Sequence, residues 1–236
     1  MAEPRPQFRP DIEGLRGVMI LLVVLFHAGV TTAAGGFVGV DVFFVLSGFF
    51  ITGLLLRELA RTGRIDLVEF YGQRALRLAP AFLVVLVTTL GAVIWLYAPV
   101  DRPAILASAR SVAFYSGNTE FANGAVDYFS AGENPLLHTW SLAVEQQFYL
   151  VWPLLILLIA LYGRRPGREM ADPDHLDSRM LLGGIAVAGL LSLGASVWIT
   201  DTAQPWAFFG MPTRIWEFAL GAAVAVVLNG RADRTS

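Results

Sequence analysis

Apolar positions along this chain neither alternate, as in a half-buried strand, nor recur only every third and fourth residue, as in an amphipathic helix. They run on almost unbroken. A hydrocarbon layer of about 30 Å is crossed by roughly 20 such residues in helical form. Six runs come close to that length: 18–34, 37–56, 78–98, 140–161, 180–199 and 213–228. The first and last are short and carry polar residues. Between the third and fourth, the interval 99–138 contains AILASARSVAFYSGN, too polar to span alone. It predicts an interfacial or re-entrant helix shielded by protein. The pattern therefore predicts an all-α fold, a polytopic transmembrane helix bundle of about six spans, in a single domain over 1–236.

Composition agrees. Hydrophobic residues make up 56% and charged residues 15% of the 236, and mean hydropathy is +0.60, values of an integral membrane protein. Cysteine is absent, which removes disulfides, thiolate metal sites and cysteine nucleophiles. No metal and no nucleic acid partner are expected. The distribution of charge says more than its near-zero sum. All 17 basic residues are arginines. Only Arg102, Arg110 and Arg214 fall on one side of the predicted spans, and the rest cluster on the other. The positive-inside rule then places both termini in the cytoplasm. The first run follows a charged, proline-containing lead and is expected to be retained, not cleaved as a signal peptide. His175, in the charged linker GRRPGREMADPDHLDS, reads as solvated.

Polar residues inside the runs are the candidates for chemistry, because an ionisable side chain at membrane depth costs free energy unless it is paired or used. His27 interrupts an apolar run, and Arg16 lies eleven residues earlier. In a helix the two share a face, roughly 16 Å apart. Asp41 opens the second run as a hydrated helix-start carboxylate or as a partner that orients His27. Arg74 and Arg77 are i and i+3, a positive-inside cluster or a fork for polyphosphate. His138, Ser141 and Glu145 share a helix face, and Gln146 and Gln147 extend the polar patch. Trp140, Tyr149 and Trp152 read in part as an aromatic belt. Gly35 and Gly39 form a GxxxG for close helix approach. Arg214 and Glu217 are an i, i+3 ion pair or an active pair.

In chain order, the blocks RPDIEGLRGVMILLVVLFHAG, GGFVGVDVFFVLSGFFIT, FYGQRALRLAP, LLHTWSLAVEQQFYLVWPLL and RIWEFALGA resemble the signature blocks of the membrane acyltransferase-3 family. These are bacterial O-acyltransferases of lipopolysaccharide, peptidoglycan, exopolysaccharide, nodulation factors and some macrolides. The resemblance covers almost the whole chain. It implies a multi-pass enzyme of the bacterial cytoplasmic (inner) membrane. Such an enzyme takes an acyl group, commonly acetyl from acetyl-CoA, and delivers it to a hydroxyl, often on a glycan outside. By resemblance, Arg16 is the family's amino-terminal arginine, His27 its membrane histidine, and Arg74 with Arg77 its RxxR pair. Ser47, Gly48 and Phe49 fall on the SGF block, and Trp140, Ser141 and Glu145 on the WSL/E block. Family members normally have about ten spans, so this chain resembles the amino-terminal part of a ten-span bundle.

The expected scheme follows. Arg16, Arg74 and Arg77 bind the phosphates of acyl-CoA at the cytoplasmic mouth. His27 is general base or transient acyl carrier, with Asp41 biasing its tautomer and Glu145 as a further catalytic group. His138, Trp140 and Ser141 line the acceptor's path, while Ser47, Gly48, Arg214 and Glu217 hold the structure. Two alternatives remain open: a proton-coupled transporter or flippase with His27 and Glu145 as relay groups, and an inactive fragment of the family.

Overall fold

A computed structural model describes residues 10–126, 134–162 and 178–232, so His175 lies outside the described residues. Among those described, the chain is helical with no strand. Helix α1 is Pro10–His27, with proline at its first position and Asp11 and Glu13 in the first turn, where the helix dipole favours them. It stops because Gly29 adopts φ +74°, a conformation that ends a helix. A 3₁₀ segment, Thr31–Val38, then leads into α2, Gly39–Thr62. The apolar run 18–34 is thus divided between a helix and its connection. His27 is the last residue of α1. Hydropathy averages over glycine and threonine without registering that they fail to propagate a helix.

Gly63, at φ 69°, closes α2 through an N–H bond to the Leu59 carbonyl. Asp66 caps α3, Leu67–Leu96, accepting from the Glu69 N–H at 3.0 Å. The Asp66 N–H is itself bonded to the Glu58 carboxylate at 2.7 Å. These bonds make a tight turn, and α3 begins well before the expected residue 78. Its 30 residues extend about 45 Å, longer than the hydrocarbon layer, so Arg74 and Arg77 ride on the spanning helix itself. Next come α4, Arg102–Ala113, and α5, Gly117–Asn123. Both are too short to cross, and they send Ile105, Ala109, Val112 and Phe121 into the core. A 3₁₀ turn, Leu137–Thr139, precedes α6, Trp140–Tyr162. The remaining helices are α7, Ser178–Thr200; α8, Gln204–Phe209; and α9, Ile215–Ala232.

Among the described residues, four segments are long and apolar enough to cross a membrane: Thr31–Thr62, Leu67–Leu96, Leu137–Leu161 and Ser178–Thr200. The apolar part of α9 is shorter, and α1 carries Asp11, Glu13 and Arg16. The core lies where α2, α6 and α9 meet. Phe218 stacks on Phe44 at 4.7 Å and on Phe148 at 4.0 Å, and Phe148 continues to Trp152 at 4.8 Å. That approach depends on glycine. A Cβ on Gly48 would stand 2.0 Å from the Phe218 carbonyl oxygen, and one on Gly221 only 1.8 Å from that of Val45. Against α1 the close glycine is Gly36, whose Cβ would meet the Leu22 carbonyl at 2.2 Å. Gly35 has open space, so the expected Gly35–Gly39 pair is replaced by Gly36 and Gly39.

Candidate active site

Four helices converge on one cavity of about 580 Å³. Helix α1 contributes Glu13, Arg16 and Val23; α3 contributes Arg74, Arg77 and Leu78; α6 contributes Ser141, Leu142, Glu145 and Tyr149. Helix α2 supplies a continuous stripe from Val40 through Phe43, Ser47, Phe50 and Leu54 to Arg57. At helical rise this stripe covers about 25 Å of wall. One end of the cavity is cationic, with Arg16, Arg57, Arg74 and Arg77. The middle is apolar except for one polar cluster.

That cluster is built around Glu145. Ser47 Oγ donates to Glu145 Oε1, and Tyr149 donates to the same oxygen at 2.5 Å. The two hydroxyls are 3.1 Å apart. Glu145 and Tyr149 are i and i+4 on α6, while Ser47 comes from α2, so the cluster exists only when the two helices pack. The Arg74 guanidinium lies 4.0 Å from the centre of the Tyr149 ring and 5.0 Å from that of Phe70, in cation–π range. Its Nε is buried without a hydrogen-bond partner. The site therefore pairs an acid held by two hydroxyls with a cation not neutralised by direct contact.

The structure places the predicted residues unevenly. Arg16, Arg74, Arg77, Ser47, Ser141 and Glu145 all line the cavity. His27 does not line it, but sits one turn beyond Val23, which does, on the same stripe of α1. Its Nδ1 donates to the Val23 carbonyl at 2.7 Å. A carbonyl only accepts, so this contact fixes the tautomer with Nε2 as the basic nitrogen. The Asp41 carboxylate pairs with Arg214 at 3.3 Å. The exposed His138 is within electrostatic range of His27, so two imidazoles share that end. Trp140 is 2% exposed and packs on Phe208 at 4.8 Å in the core. Trp152 likewise donates inward to Thr52 at 2.8 Å and is not a belt residue. The three polar residues 145–147 diverge, as the helix's 100° step requires. Gln147 bonds the Tyr115 carbonyl at 2.9 Å and Asn118 at 2.8 Å, and Gln146 Nε2 is buried without a partner.

A second polar group lies at the start of α2. Arg214 pairs with Asp41 and, at 2.8 Å, with Glu217; it also donates to the Phe208 carbonyl at 2.9 Å. Its guanidinium carbon is 5.6 Å from the centre of the Trp140 ring. Glu217 is fully buried, and its Oε2 has no partner. The expected i, i+3 pair is thus a three-membered cluster joining α2 to α9.

Sequence reasoning missed two cavity residues. The pattern alone marks Tyr149 in part as interfacial, although its spacing of four from Glu145 is the available signal. Arg57 belongs to the positive-inside cluster by sequence, yet it continues the α2 stripe of Phe43, Leu46, Phe50 and Leu54 at helical spacing.

These features define a polytopic helical membrane protein with a cation-mouthed cavity leading to an acid–hydroxyl cluster. A family model described as an acyltransferase domain matches residues 9–233, and the chain belongs to that family, acyltransferase-3. It is 36% identical over 233 residues to O-acetyltransferase OatA of Staphylococcus aureus, covering 94% of this chain and 35% of that protein. To peptidoglycan O-acetyltransferase OatA of Listeria monocytogenes it is 34% identical over 232 residues, covering 94% and 34%. The chain spans about a third of the length of the curated relatives it matches. No solved structure matches it significantly.

Proposed function

We propose that this chain carries the membrane machinery of an O-acyltransferase. It takes an acyl group, acetyl foremost, from acyl-CoA on the cytoplasmic side of a bacterial cytoplasmic membrane. It passes the group toward a hydroxyl of a cell-envelope glycan. The observation that carries this reading is the polarity of the cavity, with arginines at one end, apolar walls, and the Glu145, Ser47 and Tyr149 cluster within, reached by Arg74 at Tyr149. Arg57 and Ser47 are ten residues apart on α2, about 15 Å, a separation suited to a donor with an anionic head and a long thin arm. The acceptor class is supported by the relatives, one of which is named a peptidoglycan O-acetyltransferase.

In this scheme Arg16, Arg74 and Arg77 hold the donor's phosphates through charge-assisted bonds. His27 Nε2 takes the proton of the acceptor hydroxyl as its oxygen attacks the thioester carbon. The C–S bond breaks, and the thiolate leaves with the proton that the imidazolium returns. His138 and Ser141, at the same end, line the acceptor's approach. General-base help of this kind is worth about 10²–10⁴-fold in rate.

The test uses membranes containing the chain, given radiolabelled acetyl-CoA, with label followed into envelope fractions. His27→Ala is expected to cut transfer by about 10²-fold or more while the protein still accumulates in the membrane. Retention of most of the transfer by His27→Ala would overturn the assignment.

A further inference from the structure

Arg57 stands in the wall of the donor end, on a different helix from the other three arginines. Its guanidinium folds back over Gly53, where a Cβ would lie 3.2 Å from Nη1. A methyl group at 53 would require the guanidinium to shift by a few tenths of an ångström. Arg57, Arg74 and Arg77 have no carboxylate partner in an ion pair among the described residues; Arg16 alone of the four is tied, to Glu13 at 3.1 Å. Arg74 is attracted by Glu145 but repelled by Arg77, and Arg57 adds a third guanidinium from a second helix to the same cavity, so like charges repel there. A multivalent anion would relieve that repulsion and accept their forked donors. Arg57 is exposed, as a positive-inside residue would be, but it also closes the end of a stripe whose other members line the cavity.

We propose that Arg57 is a specificity residue for the donor. Seated by Gly53, it binds a phosphate of the donor's head group, so that the site prefers donors with several phosphates over donors with fewer. This rests on the acyl-CoA reading above and deepens it. No bond is made or broken at Arg57, whose part is to hold an anion.

The test is equilibrium binding to the purified full chain in detergent, with four probes: CoA, 3′-dephospho-CoA, pantetheine and inorganic tripolyphosphate. A charge-assisted hydrogen bond is worth about 1.5–3 kcal/mol, or roughly 10–100-fold in Kd. Arg57→Ala should weaken CoA and tripolyphosphate by about that factor and leave pantetheine unchanged. Arg57→Lys should recover part of the loss. Arg64→Ala, exposed and outside the cavity lining, is the control and should bind as the unaltered chain does. In transfer assays Arg57→Ala should raise KM for acetyl-CoA with kcat nearly unchanged.

Equal weakening of all four probes would mean that Arg57 acts through packing, and would overturn the proposal. So would unchanged CoA binding by Arg57→Ala, although the acyl-CoA reading would survive that result. Arg57-dependent binding of tripolyphosphate without binding of CoA would do the reverse, sinking the donor reading and keeping the anion site. Failure of the unaltered chain to bind either would overturn both.

Discussion

At the scale of single residues, Glu145 is the group on which the cavity's polar chemistry turns, because two hydroxyls from two helices donate to the same oxygen. Glu145→Gln keeps the shape and removes the charge. Transfer is expected to fall by about 10²-fold or more, whereas Ser47→Ala, which leaves the Tyr149 bond in place, should cost about tenfold or less. Initial rates with labelled acetyl-CoA distinguish these outcomes, and a fully active Glu145→Gln protein would remove Glu145 from the mechanism. Arg214 allows a different kind of test. Removing it leaves Asp41 facing a fully buried Glu217, a situation that costs about 3–5 kcal/mol when one partner of a buried pair is deleted. Arg214→Ala should therefore unfold at a distinctly lower temperature in detergent, and adding Glu217→Gln should restore much of the loss. Equal stability of Arg214→Ala and the unaltered chain would show that the cluster holds nothing together. Much of the site was legible from sequence: Arg16, His27, Arg74 and Glu145 stand out because ionisable side chains in or beside apolar runs are costly. Asp41 was legible as a candidate but not its partner, since Arg214 lies 173 positions away and only the packing of α2 on α9 brings them together.

At the scale of elements, the bundle is held by contacts that leave no room for a methyl group. Gly48→Ala or Gly221→Ala would place a Cβ about 2 Å from a carbonyl oxygen of the facing helix, and neither backbone can yield without separating α2 from α9. Overpacking of this kind costs about 1–3 kcal/mol. It should appear as a lowered unfolding temperature and reduced yield of folded protein. Gly91→Ala on α3, where a Cβ meets nothing within 4 Å, is the matched control. It is expected to be neutral or stabilising by up to about 1 kcal/mol. Identical behaviour of all three would mean that the close approach is not what orders α2 and α9. The helices themselves were largely legible, since α6 and α7 begin and end within two residues of the apolar runs at 140–161 and 180–199. The end of α1 was not, because Gly29 breaks the helix inside a stretch whose hydropathy stays high. Which glycines touch which helix was also hidden: a GxxxG pattern marks small surfaces without saying which of them a neighbour occupies.

At the scale of the whole molecule, the direction of each helix and the placement of charge agree. Arg16 near the start of α1, Arg57 near the end of α2 and Arg74 near the start of α3 line one cavity, so α1, α2 and α3 alternate in direction. Asp41 at the start of α2 meets Arg214, just ahead of α9, which puts the opening of α9 at the opposite end. If the arginine end faces the cytoplasm, as the positive-inside rule requires, the donor enters from inside and the end bearing His27 and His138 faces out. The chain contains no cysteine, so single cysteines report sidedness without background. Ala60→Cys, exposed at the end of α2, should react with a membrane-impermeant maleimide only after the cells are permeabilised. Thr32→Cys and Thr202→Cys, exposed after α1 and α7, should react in intact cells. Reaction of Ala60→Cys from outside, with Thr32→Cys protected, would invert the molecule and place the arginine end on the outer face. The cavity would then lie beyond the reach of cytoplasmic acyl-CoA, and the direction of transfer proposed here would fail with it.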